Sequence, residues 1–292
     1  MIVVRVPGST SNLGAGFDCV GLALDLWLSA RLVLRTGSDG YHGTLKGLEP
    51  AADIVRRVIG DQLPDEARLE LHSTIPVSRG LGSSAAAVVA GIAIRRSLRG
   101  EGLDRATMFW EAAQEEGHPD NAGPSVYGGL ILAVDRPVQL VLDPEIGIAL
   151  AVPRMELDTS AARNILPTAL PRDTAIGQGS RNAALLLGLT TGDADLIAVG
   201  MDDRIAVPHR KNLIVGFDSA VTAGRAAGAF GVTISGSGSS LVAMAPKSVA
   251  QHVATEMARA LTDADNPATP MTPAVSERGF TATVRGESYS GM

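Results

Sequence analysis

Stretches with the period of a β-strand alternate with stretches of helical period along the first half of this chain. Strands are predicted for residues 3–6, ending at Pro7, and for residues 22–35, 68–72, 130–134, 138–142 and 147–152. Helices are predicted for residues 51–59 and 83–98, and a third follows the capping residue Asp104 and runs to about residue 116. The helix at 83–98 is apolar almost all round, which indicates burial.

Helical periodicity dominates the second half. It predicts helices near residues 160–165, 174–187, 193–201 and 218–230, and another that ends near residue 261. Strands are predicted at 232–235, 241–245 and 279–285, and the proline-rich residues 263–273 are predicted to be a loop. Strands mixed with helices, without regular βαβ repetition, predict an α+β fold whose second half could be a small ferredoxin-like sandwich.

Composition and charge narrow the class of protein. The chain has 292 residues, 45% of them hydrophobic, so it can bury a sizeable core without metal ions or disulfides. The single cysteine, Cys19, excludes an intrachain disulfide framework and favours the reducing cytoplasm. The net charge is −6 and no basic block occurs, which argues against nucleic acid as a partner.

No stretch of the sequence has the pattern of a membrane span or a leader. The longest apolar run, residues 85–94, is far shorter than the roughly 20 residues that cross a bilayer. The N-terminal residues MIVVRVPGS contain neither a basic leader nor a small-residue cleavage site. We therefore expect a soluble, unprocessed cytoplasmic protein with no membrane partner.

The stretch RGLGSSAAAVVAG, residues 79–91, changes abruptly from glycine and serine to apolar helix. It is not a Walker A loop, because no Gly-Lys-Ser/Thr follows. Gly80 and Gly82 let the backbone turn tightly, and Ser83 and Ser84 lie where the helix begins. Amides and the helix dipole at that point favour an anion such as phosphate, although a tight turn with a serine N-cap explains the pattern equally well.

Two further polar stretches are candidates for a cleft. PGSTSNLGAGFDCVGLAL, residues 7–24, connects two predicted strands and offers Asn12 and Asp18, whereas Cys19 beside them fits packing better than nucleophilic chemistry. EEGHPDNAGPSVYGG, residues 115–129, places acids, a histidine and an asparagine at a helix end, where a carboxylate could hold Mg²⁺. Alone, the first could be a plain loop and the second a polar helix C-terminus.

Taken together, these stretches carry a family resemblance. PGSTSNLGAGFD, PVSRGLGSSAAAVVAG, EGHPDNAGPSVYGGL and GVTISGSGSSLVAM occur in the order and spacing of the superfamily of galactokinase, homoserine kinase, mevalonate kinase and phosphomevalonate kinase, from residue 3 to about 245. Within that superfamily, EGHPDN, TSAARNILP (159–167) and VPHRKNLIVGF (207–217) resemble the homoserine kinase family. Several motifs in order are far more specific than any one of them.

The resemblance implies a two-domain kinase fold of the α+β class. Residues 1–150 would form an N-terminal domain like domain 2 of ribosomal protein S5, residues 151–292 would form a ferredoxin-like C-terminal domain, and ATP would lie in the cleft between them. The implied activity is ATP-dependent phosphorylation of the side-chain hydroxyl of L-homoserine to O-phospho-L-homoserine, a step of threonine biosynthesis. Relatives often dimerise, so a homodimer is also an expectation.

The resemblance also implies roles for residues at matching positions. The residues that would wrap the ATP phosphates are Pro76, Val77, Ser78, Arg79, Gly80, Leu81, Gly82, Ser83, Ser84 and Ala85. Mg²⁺ would be held by Ser84 and Glu116. Asp18 and Asp120 would take the ammonium of homoserine, and Arg163 and Arg210 would take its carboxylate through bidentate contacts.

Other matching residues would complete the acceptor pocket: Asn12, His118, Asn121 and Thr159, with Gly236 and Gly238 in the closing loop at residues 235–239. Phosphoryl transfer depends more on an in-line hydroxyl and neutralised charge than on covalent help, so catalysis mainly by positioning is expected. The residues implied to lie nearest the reaction are Asp120, Asn121 and Asp18. An aspartate clamped to an ammonium would be a poor base.

Four positions depart from the family's pattern. The closing loop has Ser239 and Ser240 where the family usually has a proline and a threonine. Asp53 stands where relatives commonly carry an asparagine near the adenine, and Gly8 stands where alanine usually follows the proline of the first strand. These departures leave the shape of the closing loop and the adenine contact open.

Two alternatives keep the fold but change the function. The acceptor could be a related hydroxy amino acid or another small carboxylate-bearing alcohol, because two arginines select a carboxylate without selecting homoserine among its close analogues. A non-catalytic nucleotide-binding regulator could use the same scaffold. Such a protein could lose its metal ligands, whereas Ser84, Glu116 and Asp120 are all present here.

Overall fold

The computed structural model describes residues 1–34, 49–64, 67–284 and 286–290. Its strands are β1 (Ile2–Asn12), β2 (Gly16–Leu34), β3 (Ala67–Ser73), β4 (Leu130–Ala133), β5 (Pro137–Leu140), β6 (Ile146–Pro153), β7 (Gly231–Ile234), β8 (Leu241–Pro246), β9 (Ala268–Met271), β10 (Thr281–Val284) and β11 (Glu287–Ser290). Its helices are α1 (Glu49–Ile59), α2 (Ser83–Arg99), α3 (Arg105–Glu116), α4 (Ala122–Tyr127), α5 (Thr159–Asn164), α6 (Arg172–Thr191), α7 (Ala194–Gly200), α8 (Val207–Arg210), α9 (Phe217–Ala226) and α10 (Ala250–Asp263).

The larger sheet is antiparallel and has the order β11-β10-β1-β2-β4-β5, with β3 also paired to β2. Helix α2 packs against β1, and its residues 85–94 are all buried, as their apolar composition predicts. The helix ends at Gly100, whose φ of 69° lets its N–H bond back to the last turn. At the other end of the helix, the Ser9 amide of β1 donates to the Leu81 carbonyl at 3.1 Å, which holds the start of α2 against β1.

The smaller sheet is also antiparallel and has the order β7-β8-β6-β9. Helices α9 and α10 pack on this sheet, and α10 buries an apolar stripe that includes Val253, Met257 and Leu261. A four-stranded antiparallel sheet with two helices packed on it agrees with the predicted ferredoxin-like second half, and both sheets together give the predicted α+β class. Among the helices of the described residues, none combines the length and the apolar character that crossing a membrane requires.

The two sheets do not divide the chain at one position. Residue 150 lies inside β6, and β10 and β11 at the C-terminal end pair with β1 in the larger sheet. The last two strands therefore belong to the sheet of the first part of the chain, which differs from a division into residues 1–150 and 151–292. That division stays a prediction.

Most predicted elements are present with ends shifted by a few residues. Asp104 caps α3 as predicted, since its carboxylate accepts a hydrogen bond from the Thr107 amide at 2.9 Å. The first strand does not end at Pro7, because a register shift between Pro7 and Gly8 lets β1 resume its pairing with β2. The predicted loop at 263–273 contains β9, an edge strand, where a proline is tolerated.

Besides β9, three short elements were not predicted from the sequence: α4, α8 and β11. Each has only four to six residues, which is too short for a hydrophobic period to be recognised. The predicted strand at 22–35 begins earlier, at Gly16, and Arg35 lies outside the described residues.

Gly200 sets how closely α6 and α7 approach. A Cβ at this position would lie 2.4 Å from the Cα of Leu185, which is backbone and cannot rotate away. The pair of helices lies directly behind the turn between β1 and β2, because the Gly200 carbonyl accepts a hydrogen bond from the Ala15 amide at 2.9 Å.

We predict that Gly200→Ala lowers the free energy of unfolding by about 1–3 kcal/mol, because the added methyl overpacks a backbone contact. Urea denaturation measures the change. The control is Gly179→Ala in α6, an exposed glycine whose Cβ would meet nothing within 4 Å. This control should keep or gain stability, by up to about 1 kcal/mol, since alanine favours a helix. Equal losses in both variants would contradict the close-approach argument.

Candidate active site

A cavity of about 530 Å³ opens where the end of β1, the start of α2 and the end of α3 face residues from α5, α8 and the loop after β7. The residues that line it are Ser11, Asn12, Pro50, Ala51, Ile54, Arg57, Val77, Ser78, Arg79, Gly80, Leu81, Gly82, Ser83, Ser84, Ala85, Glu115, Glu116, His118, Asp120, Asn121, Leu157, Asp158, Thr159, Ser160, Arg163, Arg210, Gly236 and Ser237. The motifs singled out in the sequence therefore meet at one place.

Most of the predicted site residues line this cavity. Pro76, Asp18 and Gly238 are not among the lining residues, although Asp18 bonds to one of them, Arg163. Ser237 lines the cavity and was not predicted, and its hydroxyl lies 3.1 Å from that of Thr159. The sequence signal for it was present, because it lies within the predicted closing loop.

Helix α1 supplies a wall of the cavity that the sequence analysis missed. Its lining residues Pro50, Ile54 and Arg57 recur at the spacing of one helix face. Asp53 lies outside this face, is exposed and pairs with Arg56 of the same helix at 3.5 Å. How Asp53 affects the adenine contact stays open, as the sequence left it, and the helical spacing of 50, 54 and 57 was the signal that could have found the wall.

The loop before α2 is held in a tight turn. Gly80 and Gly82 have φ angles of 69° and 70°, and a Cβ on them would lie 2.1 Å from the Ser235 carbonyl oxygen and the Ser9 hydroxyl, respectively. No side chain caps α2, and the first amides of a helix lack acceptors within the helix. Because Ser83 and Ser84 line the cavity at this helix end, the loop offers amides and a helix dipole to an anion.

The guanidinium of Arg79 is engaged by backbone rather than left free. Its Nε donates to the Pro153 carbonyl at 2.9 Å and its Nη2 to the Arg154 carbonyl at 2.7 Å, and Nη1 also bonds to the Val77 carbonyl. Arg79 thus fastens the glycine loop to the end of β6. Its predicted contact with phosphate would have to come from the main chain of the loop.

Ser84 and Glu116 bring two oxygen ligands together at the start of α2. The Ser84 hydroxyl donates to Glu116 Oε1 at 2.6 Å, and both residues line the cavity. Burial raises the pKa of Glu116, and the hydrogen bond from Ser84 offsets part of this rise. A carboxylate and a hydroxyl beside an anion site form the oxygen donor set that Mg²⁺ prefers, so the residues present fit this ion.

His118 and Asp120 are hydrogen-bonded at the cavity wall and form an ion pair when His118 is protonated. The His118 Nδ1 and Asp120 Oδ1 atoms are 2.5 Å apart, and Asp120 is 2% exposed. Burial opposes charge on both groups, yet their hydrogen bond lowers the pKa of Asp120 and raises the pKa of His118. Asp120 is consequently held as an anion, which makes it a weak proton acceptor.

The side chain of Asn121 forms hydrogen bonds within the protein. Its Oδ1 accepts from the Ser9 hydroxyl at 2.8 Å, and its Nδ2 donates to the Ser11 hydroxyl at 2.9 Å. Its backbone amide donates to Asp120 Oδ1 at 2.9 Å. Asn121 therefore acts on the site by holding β1 and Asp120 in place.

Asp18 and Arg163 pair with each other. Arg163 donates to both carboxylate oxygens of Asp18, at 2.7 and 3.1 Å, and this hydrogen bonding raises the pKa of Arg163. One ligand atom each from Asp18, His118 and Asp120 lies within 4.8 Å of the others, but the two ion pairs account for that cluster. The sequence analysis assigned both members of the Asp18–Arg163 pair to the acceptor, and the structure joins them across the site.

Arg210 is the second arginine of the cavity and is 2% exposed. Its Nε donates to the Ala162 carbonyl at 2.9 Å and its Nη1 to the Gly236 carbonyl at 3.2 Å, while its guanidinium lies 5.4 Å from the centre of the Phe17 ring. Burial lowers the pKa of Arg210. A guanidinium with fixed direction beside Arg163 suits a carboxylate ligand.

The side chains of Ser239 and Ser240, the departure in the closing loop, are both inaccessible. The Ser239 hydroxyl donates to the Met155 carbonyl, whereas the Ser240 hydroxyl has no hydrogen-bond partner among the described residues. Asn12 stabilises the same loop, because its Nδ2 donates to the Gly236 carbonyl at 2.8 Å. The closing loop is therefore bonded to both the segment after β6 and the end of β1.

Comparison with known proteins agrees with this geometry. The family described as GHMP kinases N terminal domain matches residues 45–129, and GHMP kinases C terminal matches residues 186–263. Homoserine kinase of Trichormus variabilis is 37% identical over 279 residues, 90% of this chain and 92% of the relative. Homoserine kinase of Moorella thermoacetica is 37% identical over 259 residues, 83% of this chain and 87% of the relative.

A solved structure extends the comparison to the whole fold. Homoserine kinase from Cytophaga hutchinsonii superposes with a TM-score of 0.75 at 29% sequence identity, covering 97% of each chain. The predicted two-domain kinase fold is thereby confirmed. This chain belongs to the GHMP kinase family, and within it to the homoserine kinases.

Proposed function

We propose that this chain transfers the γ-phosphoryl group of ATP to the side-chain hydroxyl of L-homoserine, with Mg²⁺ at Ser84 and Glu116. The observation that carries the proposal is the convergence of three features in one 530 Å³ cavity. These are the helix end at Ser83 and Ser84, the oxygen pair of Ser84 and Glu116, and a group of paired acids and arginines. In the proposed function they would serve as a phosphate site, a metal site and a site for a zwitterion.

The nucleotide would place its phosphates at the glycine loop. Amides of Ser83, Ser84 and Ala85 and the dipole of the 17-residue helix α2 would stabilise charge on the transferred group. When bound, Mg²⁺ would neutralise charge on the phosphate oxygens. The adenine would lie toward α1, whose residues Pro50, Ala51 and Ile54 form the apolar wall of the cavity.

The acceptor would be held at its α-carbon by opposite charges. Its carboxylate would lie between Arg163 and Arg210, and its ammonium would face Asp18 and Asp120. Asp18 and Arg163 neutralise each other in this structure. A bound zwitterion would replace that ion pair with two new ones, its ammonium with Asp18 and its carboxylate with Arg163, so no buried charge would be left unpaired. This clamp would aim the hydroxyl at the γ-phosphate, so the rate would come mainly from positioning.

The low pKa of Asp120 supports this view of the mechanism. An aspartate whose pKa is lowered by its hydrogen bond with His118 takes up a proton poorly near neutral pH. The hydroxyl proton would therefore pass to phosphate oxygen or solvent. A cytoplasmic location and a homodimeric state also stay predictions.

The direct test is ADP release with a panel of acceptors. We expect L-homoserine to exceed L-serine and 5-hydroxy-L-norvaline by about tenfold or more in kcat/KM, since one methylene moves the hydroxyl away from the phosphate. 3-Aminopropan-1-ol lacks the carboxylate and 4-hydroxybutanoate lacks the ammonium, so both should be poor acceptors. Better turnover of another acceptor would refute homoserine as the substrate, and no ADP release with any of them would refute the kinase assignment.

Asp120→Asn distinguishes positioning from base catalysis. Loss of the anion that faces the ammonium should raise KM for homoserine about tenfold or more, with a smaller change in kcat. Steady-state kinetics at saturating ATP measures both constants. If KM stays constant while kcat collapses, Asp120 is a general base and the positioning mechanism is wrong.

Glu116→Gln tests the metal site. Replacing the anionic oxygen with an amide should raise the Mg²⁺ concentration needed for half-maximal activity by about tenfold. Glu115→Gln is the matched control, because Glu115 also lines the cavity but pairs with Arg57 at 3.0 Å. The control should stay within about twofold of the parent protein. Equal shifts in the two variants would place the metal elsewhere.

A further inference from the structure

Two buried polar side chains outside the 530 Å³ cavity connect the two halves of the acceptor clamp. Gln178 of α6 is 7% exposed and Asp203, in the segment between α7 and α8, is 5% exposed. Neither residue lines the cavity, and the mechanism above does not use them. Burial of a glutamine and an aspartate costs free energy unless their polar atoms are bonded, so their partners indicate what they hold.

Asp203 fixes the segment that carries Arg210. Its carboxylate accepts hydrogen bonds from the amides of Ile205 at 3.1 Å, Ala206 at 2.7 Å and Val207 at 2.5 Å. The Ala206 and Val207 amides lie at the start of α8, where a carboxylate acceptor is favourable. Arg210 is the last residue of this single helical turn, so the cap sets the position of its Cα.

Gln178 joins that segment to the turn that carries Asp18. Its Nε2 donates to Asp203 Oδ1 at 2.7 Å and to the Ala15 carbonyl at 3.2 Å, and its Oε1 accepts from the Arg204 amide at 2.9 Å. Ala15 lies in the turn between β1 and β2, three residues before Asp18. One side-chain amide therefore bonds both to the turn before Asp18 and to the segment before Arg210.

The guanidinium of Arg210 is fixed independently at its other end. It donates to the Ala162 and Gly236 carbonyls and lies over the ring of Phe17, the residue next to Asp18. With its Cα set by Asp203 and its head set by these contacts, Arg210 has little freedom to follow a displaced ligand. The spacing between the Asp18 carboxylate and the Arg210 guanidinium is then set at two places, by these contacts at the guanidinium and by Gln178 and Asp203 at the backbone.

We propose that Gln178 and Asp203 are positioning residues that fix the two halves of the amino-acid clamp relative to each other and thereby select the length of the acceptor. The proposal rests on the proposed function, because it concerns the same acceptor site. Ammonium and carboxylate share one carbon of the acceptor, so a shift of one clamp half rotates that carbon and moves the hydroxyl. A misplacement of about 1 Å lowers the rate about a hundredfold when reaction depends on alignment.

The test compares Gln178→Met with the parent protein. Methionine has a similar length and removes every hydrogen bond of the amide. We expect KM for L-homoserine to rise about tenfold or more and the preference for L-homoserine over L-serine and 5-hydroxy-L-norvaline to fall at least about fivefold. KM for ATP should stay within about twofold, because the glycine loop does not bond to Gln178.

Two further variants separate positioning from general loss of structure. Asp203→Asn keeps the volume and one capping oxygen, so it should fold and show the same changes at smaller amplitude, about threefold in KM for L-homoserine. Gln139→Met makes the same chemical change on β5, where Gln139 is exposed, and should leave all constants unchanged. The unfolding midpoint is measured for each variant.

Unchanged KM and unchanged acceptor preference in folded Gln178→Met or Asp203→Asn would overturn the positioning role. Equal rises in KM for ATP and homoserine would also overturn it, since they indicate a general structural defect. Failure of the proposed function is seen separately in the parent protein, which would then release no ADP with L-homoserine. If Gln178→Met does not fold, the acceptor preference of Asp203→Asn decides.

Discussion

The candidate site depends on hydrogen bonds made by four buried polar residues at the end of β1, Ser9, Thr10, Ser11 and Asn12. A strand end made of small polar side chains cannot be buried unless each hydroxyl and amide finds a partner. Their partners come from three separate parts of the chain: Asn121 before α4, the Leu81 carbonyl before α2, and the Ser235–Gly236 loop after β7. The hydrogen bonds that this strand end requires therefore bring the three motifs together.

The same requirement explains why the glycine loop approaches so closely. The Ser9 amide donates to the Leu81 carbonyl at 3.1 Å, and the Ser235 hydroxyl donates to the Gly80 carbonyl at 2.6 Å. A loop bonded on both sides leaves no room for a side chain at Gly80 or Gly82. The start of α2 is therefore directed at the cavity before a ligand arrives, which is the condition for electrostatic stabilisation without reorganisation.

Most charged groups in the cavity have a bonded partner. Arg163 and Asp18 neutralise each other, Asp120 is hydrogen-bonded to His118, and Glu116 is hydrogen-bonded to Ser84. A partly buried site with unpaired charges would be costly, whereas paired charges can be exchanged for those of a zwitterion and a metal-bound phosphate. Arg210 has no carboxylate bonded to it among the described residues and is held by two carbonyls and an aromatic ring. Arg210 is therefore the residue that we propose as the first contact for an acceptor carboxylate.

Much of this could be predicted from the sequence, and what could not has physical reasons. The burial of α2 and the cap at Asp104 follow from periodicity and cap chemistry, and the meeting of the polar motifs is what the family resemblance implies. The pairing of Asp18 with Arg163 does not, because it joins residues 145 positions apart whose spacing carries no local signal. The turn of Arg79 toward β6 and the bridge through Gln178 likewise depend on packing between distant segments, and α8 is too short for a periodic pattern.

A crystal structure with a non-hydrolysable ATP analogue and L-homoserine tests most directly whether the end of β1 prepares the site for its ligands. We expect the terminal phosphates to lie at the amides of Ser83 to Ala85, the homoserine carboxylate to contact Arg210, and the end of β1 to be unchanged. A triphosphate bound elsewhere, or a homoserine that does not contact Arg210, would contradict this expectation.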